Sequence, residues 1–240
     1  MNRLLLLPLL LACFACREQH PVETPQPAPQ PAPPTATQPA PAPAPAPIPQ
    51  APKVNGPKLT PVDEAASDPS FVAYRNELLG AVRRRDADAV VALADPNIRT
   101  SFGGTGGADD FRRKLGEPGR WEDLERLLTL GGSFRGEGES RSFWAPYVYS
   151  AWPDSHDAFE QLAITGEHVP LRESSEPGSR IIATLSYDIV ERTDQANRIR
   201  TADGKTGYVD PQHVRSPVGY RAGFMKTNGQ WRMNALVAGD

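Results

Sequence analysis

Beyond residue 16 the sequence has no cysteine. Its two, Cys13 and Cys16, sit near the start of 240 residues, so the rest of the chain forms no disulfide and holds no thiol nucleophile or thiolate metal site. Histidine is scarce as well, four in all. His168 and His213 are isolated, and no spacing of His, Asp and Glu outlines a metal cage, so no metal and no cofactor is expected. Positive charge is not in excess either: 26 Lys and Arg face 29 Asp and Glu, a net charge of −3. Nucleic acid and anionic bilayer surfaces are poor partners for such a chain. The apolar run from Leu4 to Ala12 is well short of the roughly 20 residues that span a bilayer as a helix. No internal repeat is visible.

What is present begins with Arg3, that apolar run, and small residues behind it, the layout of a secretory signal. The stretch "LLAC", Leu10 to Cys13, resembles the lipobox of bacterial lipoproteins. The resemblance implies a signal peptide over 1–12, lipidation at Cys13, with Cys16 as the alternative, and anchoring to a membrane by acyl chains rather than by a spanning helix. Neither Phe14 nor Arg17 is the aspartate that signals inner-membrane retention, which implies the periplasmic side of the outer membrane. Proline, 26 residues in all, is concentrated between Pro21 and Pro61 in a Pro/Ala-rich stretch with "PAPAPAPIPQAP" at its centre. Such a segment buries little and favours polyproline II, at about 3.1 Å per residue. Residues 13–62 therefore read as an anchor and tether.

The folded part is expected to start at Asp68, with Pro69 just inside the first helix. Phe71, Tyr74, Leu78, Leu79 and Val82 share one helical face. A second helix runs from Asp86 to Leu93, a third over "ADDFRRKL" and a fourth over "RWEDLERLLTL". "GGSFRGEGESRS" reads as an exposed loop, and from Phe143 the pattern becomes mostly β. Asn228-Gly229 predicts a two-residue hairpin, with Tyr220, Ala222 and Phe224 alternating on one arm and Trp231, Met233, Ala235 and Val237 on the other. The fold class is α+β: N-terminal helices, then a β-rich C-terminal half ending in a hairpin.

Within that half, Gly166, Val169, Leu171 and Arg172, then Pro177, Ser179, Ile181, Ile182 and Leu185, then Asp203, Gly204, Gly207, Tyr208 and Val209 follow in order and spacing a pattern that resembles the bacterial SH3-like domain. The resemblance spans about fifty residues and implies a small barrel over 159–217 with a recognition role. The pattern usually has Asn where Pro170 stands and Trp near Asn197 or Arg198. Read from the residues alone, Asp203-Gly204 is a hairpin turn and Gly207 permits close backbone approach. The flanking helices over 63–158 and the hairpin over 218–240 more faintly resemble the nuclear transport factor 2-like fold, into which the SH3-like unit would be inserted.

Catalytic signals are weak. "FGGTGGADDFRRKL" lacks the lysine and hydroxyl of a phosphate loop, and Asp109 and Asp110 would repel a phosphate. "PDSHDAF" places Asp154, Ser155, His156 and Asp157 side by side, whereas a triad must converge in space. Aromatics are the better candidates: Phe143, Trp144, Tyr147, Tyr149 and Trp152 crowd into ten residues, with Tyr187 and Tyr208 on the SH3-like unit. Tyr208, Tyr187, Arg172, Trp144 and Tyr147 are the candidate ligand-binding residues. The expectation is a non-catalytic envelope lipoprotein that recognises peptidoglycan or an envelope protein. Two alternatives stay open: an envelope hydrolase or isomerase with a pocket in the α+β body, and a ligand-free structural subunit.

Overall fold

The computed structural model describes residues 51–104 and 106–239. The signal peptide, Cys13, Cys16 and the tether up to residue 50 lie outside the described residues.

Helix α1, Pro69–Arg83, begins where the Asp68 carboxylate accepts from the Ser70 and Phe71 amides at 3.0 and 3.1 Å. That satisfies two of the orphan donors of the first turn. Asp86 caps α2, Ala87–Ala92, in the same way through the Ala89 amide. Helices α3, Ala108–Leu115, and α4, Arg120–Thr129, start instead at glycines with positive φ, Gly107 and Gly119. All four predicted helices are present.

They pack on a five-stranded sheet made of β1, Ala94–Arg99; β2, Ser133–Arg135; β3, Ser142–Ala145; and the hairpin β11, Arg221–Thr227, and β12, Gln230–Val237. The strand order is β1-β12-β11-β3-β2, with β1 parallel to β12. Phe71 is the hub of the core between α1 and this sheet. Its ring centroid lies 4.3 Å from Phe143, 5.5 Å from Phe224 and 5.0 Å from Trp231, tilted and edge-on arrangements that aromatic quadrupoles favour. Trp231 is core, as expected. Asn228 and Gly229 both take positive φ, 51° and 77°, as a type I′ turn requires. The alternation fails further along. A bulge lies opposite Gly223 and Phe224, so Ala235 pairs with Gly223 and Val237 with Arg221, while Leu236 pairs with Ala222. Leu236 therefore joins the helix-side core and Ala235 and Val237 turn to the other face.

Between β3 and the hairpin, a short helix α5, Tyr147–Ser150, replaces the strand expected there. It is followed by β4, Gln161–Ile164; β5, Val169–Arg172; β6, Ile181–Leu185; β7, Ile189–Arg192; β8, Arg198–Arg200; β9, Thr206–Tyr208; and β10, Val214–Arg215. These seven form one sheet, β10-β4-β7-β8-β9-β5-β6. Its own core holds Ile164, Val169, Leu171, Ala183, Leu185, Val190, Ile199 and Val209. The expected small barrel does not close: among the described residues no ladder joins β6 to β10. The free edge of β6 is taken by the segment before α1. The Thr184 amide donates to the Pro52 carbonyl at 3.0 Å, and the Val54 amide to the Thr184 carbonyl at 3.3 Å.

That pairing also shortens the tether. Residues up to 62 were expected to be unpacked, yet Val54 and Leu59 are 3% and 4% exposed. Lys58 reaches the buried Asp188 carboxylate at 2.6 Å, and the Leu59 and Ile189 amides bond across at 2.8 and 2.9 Å. Two apolar side chains set among prolines are enough to fix this stretch to the sheet. On the other side, Arg126 of α4 donates to the Pro211 and Val214 carbonyls at 3.2 and 3.3 Å.

Candidate functional site

Arg172 ends β5 and Tyr208 ends β9, and the two are antiparallel partners. Gly207 makes this crossing possible: a Cβ there would sit 2.5 Å from the Arg172 carbonyl oxygen, far inside contact distance. Past Arg172 the chain turns through Ser174 to Gly178 and returns in β6. The Arg172 guanidinium braces this turn by donating to the Ser179 carbonyl at 2.7 Å, and the Ser179 hydroxyl donates to the Ser174 carbonyl at 2.9 Å. Opposite, the Tyr208 hydroxyl donates to Gln195 Oε1 at 3.0 Å, and Arg198 lies 5.9 Å from the ring centroid.

Between the turn and the 195–197 loop runs an open groove of about 410 Å³, lined by Arg172, Glu176, Pro177, Asn197, Tyr208 and Asp210 among others. One cation, two carboxylates, an aromatic face and a proline suit a polar, extended ligand carrying both charges better than a purely apolar one. No nucleophile and base converge here. The Glu173–Arg180 pair at 2.9 Å lies on the exposed side of the turn, and Arg180 holds the Glu173 carboxyl below the usual carboxylate range.

The other sequence candidates lie elsewhere. Tyr187 takes a positive φ of 56°, and its backbone is bonded to Gly166 and Leu59. It does not line the groove. Tyr147 is corrected outright as a surface candidate. The α5 turn rotates it into a core with Leu59, Val148, Ala163 and Ile189, where it is 1% exposed, its hydroxyl has no partner, and burial pushes its pKa up to about 12. Trp144 lies on the five-stranded sheet, its ring 5.4 Å from Tyr149 and closely over Gly223. Phe143, one residue before it, faces the helices. The aromatic run is thus divided among separate environments by strand alternation and by the helix after Pro146. His156 is half-buried, with Nδ1 3.0 Å from Gln161 Oε1.

Sequence reasoning missed the groove's second wall, Asn197, Asp210 and the supporting Gln195. The positive φ of Asn197, 59°, is the one local signal, since Asn tolerates that conformation. A larger recess of about 810 Å³ lies between the 138–141 turn and the terminal hairpin. Its cations Arg141 and Lys226 are already paired with Asp68 at 3.3 and 3.5 Å. Among the described residues no group of His, Cys, Asp and Glu is placed to hold a metal ion.

No known protein family matches the chain, and no curated protein matches it. Solved structures similar to it include an NTF2-like protein of unknown function from Pseudomonas putida, 12% identical over 73% of this chain and 87% of that one, with a TM-score of 0.28. A protein of unknown function from Mycobacterium tuberculosis is 11% identical over 72% and 71%, with a TM-score of 0.30. An NTF2-like protein with a cystatin-like fold from Novosphingobium aromaticivorans is 12% identical over 72% and 84%, with a TM-score of 0.28.

Proposed function

We propose that the chain is a non-catalytic, lipid-anchored protein of the cell envelope, held through Cys13 (or Cys16) on the periplasmic side of the outer membrane. In this reading its seven-stranded unit serves as an SH3-like module. It recognises the peptide-bearing polymer of the cell wall, peptidoglycan, in the groove beside Arg172 and Tyr208. The observation that carries the reading is the cross-strand pairing of those two residues at the mouth of one groove, under a braced turn. A peptide stem offers amide, ammonium and carboxylate groups that match Arg172, Glu176 and Asp210, and an aliphatic stem for the Tyr208 face. Support for a role without catalysis comes from the space between α1 and the five-stranded sheet. There Phe71, Phe143, Phe224 and Trp231 fill the space that a catalytic pocket in the α+β body would need.

The test is co-sedimentation of residues 51–240 with purified peptidoglycan sacculi. Saturable pelleting is expected, weakened about tenfold or more (~1.4 kcal/mol) by Tyr208→Ala, with thermal melting showing that the variant still folds. No pelleting at tens of micromolar, or equal pelleting by the variant, would reject the wall ligand and turn the search to an envelope protein.

A further inference from the structure

A second site lies on the face of the five-stranded sheet away from the helices. Arg221 on β11 shares that face with Gly223 and Trp144. Its residue is 6% exposed, Nη1 is buried with no hydrogen-bond partner, and among the described residues no carboxylate forms an ion pair with it. The guanidinium carbon lies 5.2 Å from the Phe102 ring centroid and 4.7 Å from that of Tyr149. Each ring receives a second arginine: Arg99 at 5.6 Å from Phe102, and Arg135 at 4.8 Å from Tyr149. Arg99, Phe102, Arg221, Tyr149 and Arg135 thus alternate, cation and ring, in one unbroken chain of contacts. None of the three arginines forms an ion pair within the described residues, although the chain carries 29 acidic residues.

Burying a guanidinium is costly unless its donors are bonded and its charge is opposed. The two rings offset part of that cost through their π faces, but Phe102 has no acceptor, the Tyr149 hydroxyl accepts from Arg135 at 3.5 Å rather than from Arg221, and each ring is already shared between two cations. What remains unsatisfied is Nη1 of Arg221, one arm of a guanidinium fork of the kind that matches an oxyanion with two oxygens to offer. Phe102 at one end of the ladder is 48% exposed, so the cluster borders solvent on that side. We propose that this ladder is a binding site for an oxyanion, a phosphate or carboxylate group, held by Arg221 with Arg99 and Arg135 as outer cations. The site is independent of the Arg172–Tyr208 groove and stands on the other sheet.

The experiment uses the chain over residues 51–240, with inorganic phosphate as the probe at constant ionic strength in chloride. Phosphate at ten times its dissociation constant should raise the thermal midpoint by about 3 °C or more and change Trp144 fluorescence through Tyr149. Arg221→Met keeps most of the volume and removes the charge. It should melt no lower than the parent in chloride and lose the phosphate shift. No phosphate-specific shift in the parent up to tens of millimolar, together with no Arg221-dependent binding to phosphatidylglycerol vesicles, overturns the proposal, as does an equal shift in Arg221→Met. Binding to those vesicles but not to free phosphate, absent on phosphatidylcholine, assigns the oxyanion to a lipid headgroup. If Arg221→Met fails to fold, Arg99→Gln/Arg135→Gln decides: loss of at least half the shift supports the site, and an unchanged shift refutes it.

Discussion

Gly207→Ala should damage both the sheet and the groove, and its cost can be worked from distances. The added Cβ would lie 2.5 Å from the Arg172 carbonyl oxygen, 2.9 Å from Leu171 Cγ and 3.1 Å from Ile182 Cδ1. The last two contacts can relax by small rotations of flexible side chains. The first cannot, because a carbonyl oxygen moves only with its strand. Restoring an ordinary carbon–oxygen contact requires β9 and β5 to separate by nearly an ångström. These strands are joined through the single pair Arg172 and Tyr208, so the separation breaks the link that frames the groove. Overpacking a tight site costs about 1–3 kcal/mol, with a backbone clash at the upper end. The lower unfolded-state entropy of alanine offsets about 0.4–1 kcal/mol of it. A net loss of about 2 kcal/mol corresponds to a fall of about 4–8 °C in melting temperature for a chain of this size. Gly103→Ala is the matched control: its Cβ meets nothing within 4 Å, and it should stabilise by about 0.4–1 kcal/mol. Urea unfolding of both variants measures the difference. If Gly207→Ala lies within about 0.5 kcal/mol of the parent and still binds sacculi equally, the close approach of β9 to β5 is not what shapes the groove.

Leu59→Ala should cost about 2–5 kcal/mol, and a fragment starting at residue 63 should unfold at lower urea than one starting at 51. Coincident midpoints would mean that residues 52–59 add nothing to the sheet. Asp68 is held below the ordinary carboxylate range, first by the Ser70 hydroxyl and, against the cost of burial, by the Phe71 amide and Lys226. A carboxyl depressed on folding stabilises the protein above its unfolded pKa, near 4, and that contribution disappears as pH falls through the lower folded value. Asp68→Asn should therefore be less stable to melting than the parent at pH 7 by about 1 kcal/mol. The amide can still cap, but it loses the charge-assisted hydrogen bonds to Ser70 and Phe71 and the pull of Lys226, and the difference should shrink as the pH falls through the lowered folded pKa. A gap of constant size from neutral pH down through the acid range would assign the loss to packing rather than to charge.

The parts of this fold that local chemistry decides are the parts legible in the sequence. Asp68-Pro69 marks the start of α1 because a carboxylate cap and a proline at the first helical position act within three residues. Asn228-Gly229 marks the hairpin because both residues must take positive φ. The parts decided by distant partners are not. "ADPNIR" has the composition of a turn, yet it forms β1 because the edge of β12 accepts it in parallel. The tether's final residues, grouped by their prolines with the Pro/Ala-rich run before them, are claimed by the open edge of β6. Tyr147 looks like its aromatic neighbours until α5 rotates it inward, and Asn234 shifts the face of every residue after it only because β11 pairs there with a bulge.

The two candidate sites differ in what marks them in the sequence. Arg172 and Tyr208 are singled out by the resemblance of their motifs to the SH3-like pattern, while their pairing joins strands far apart in the chain, which no local rule gives. Arg221 carries no such mark. Its neighbours come from the loop after β1, from β2 and from α5, and what distinguishes it is that, among the described residues, none brings a carboxylate close enough to pair. Charge neutralisation within a fold is a long-range property, and a sequence of 26 basic and 29 acidic residues contains ample partners for every arginine. That three arginines meet on two rings without an acid among the described residues is consequently a statement about topology. A buried cation left unpaired in a chain with so many carboxylates lowers stability, and binding is the role under which that cost is recovered, when an oxyanion arrives.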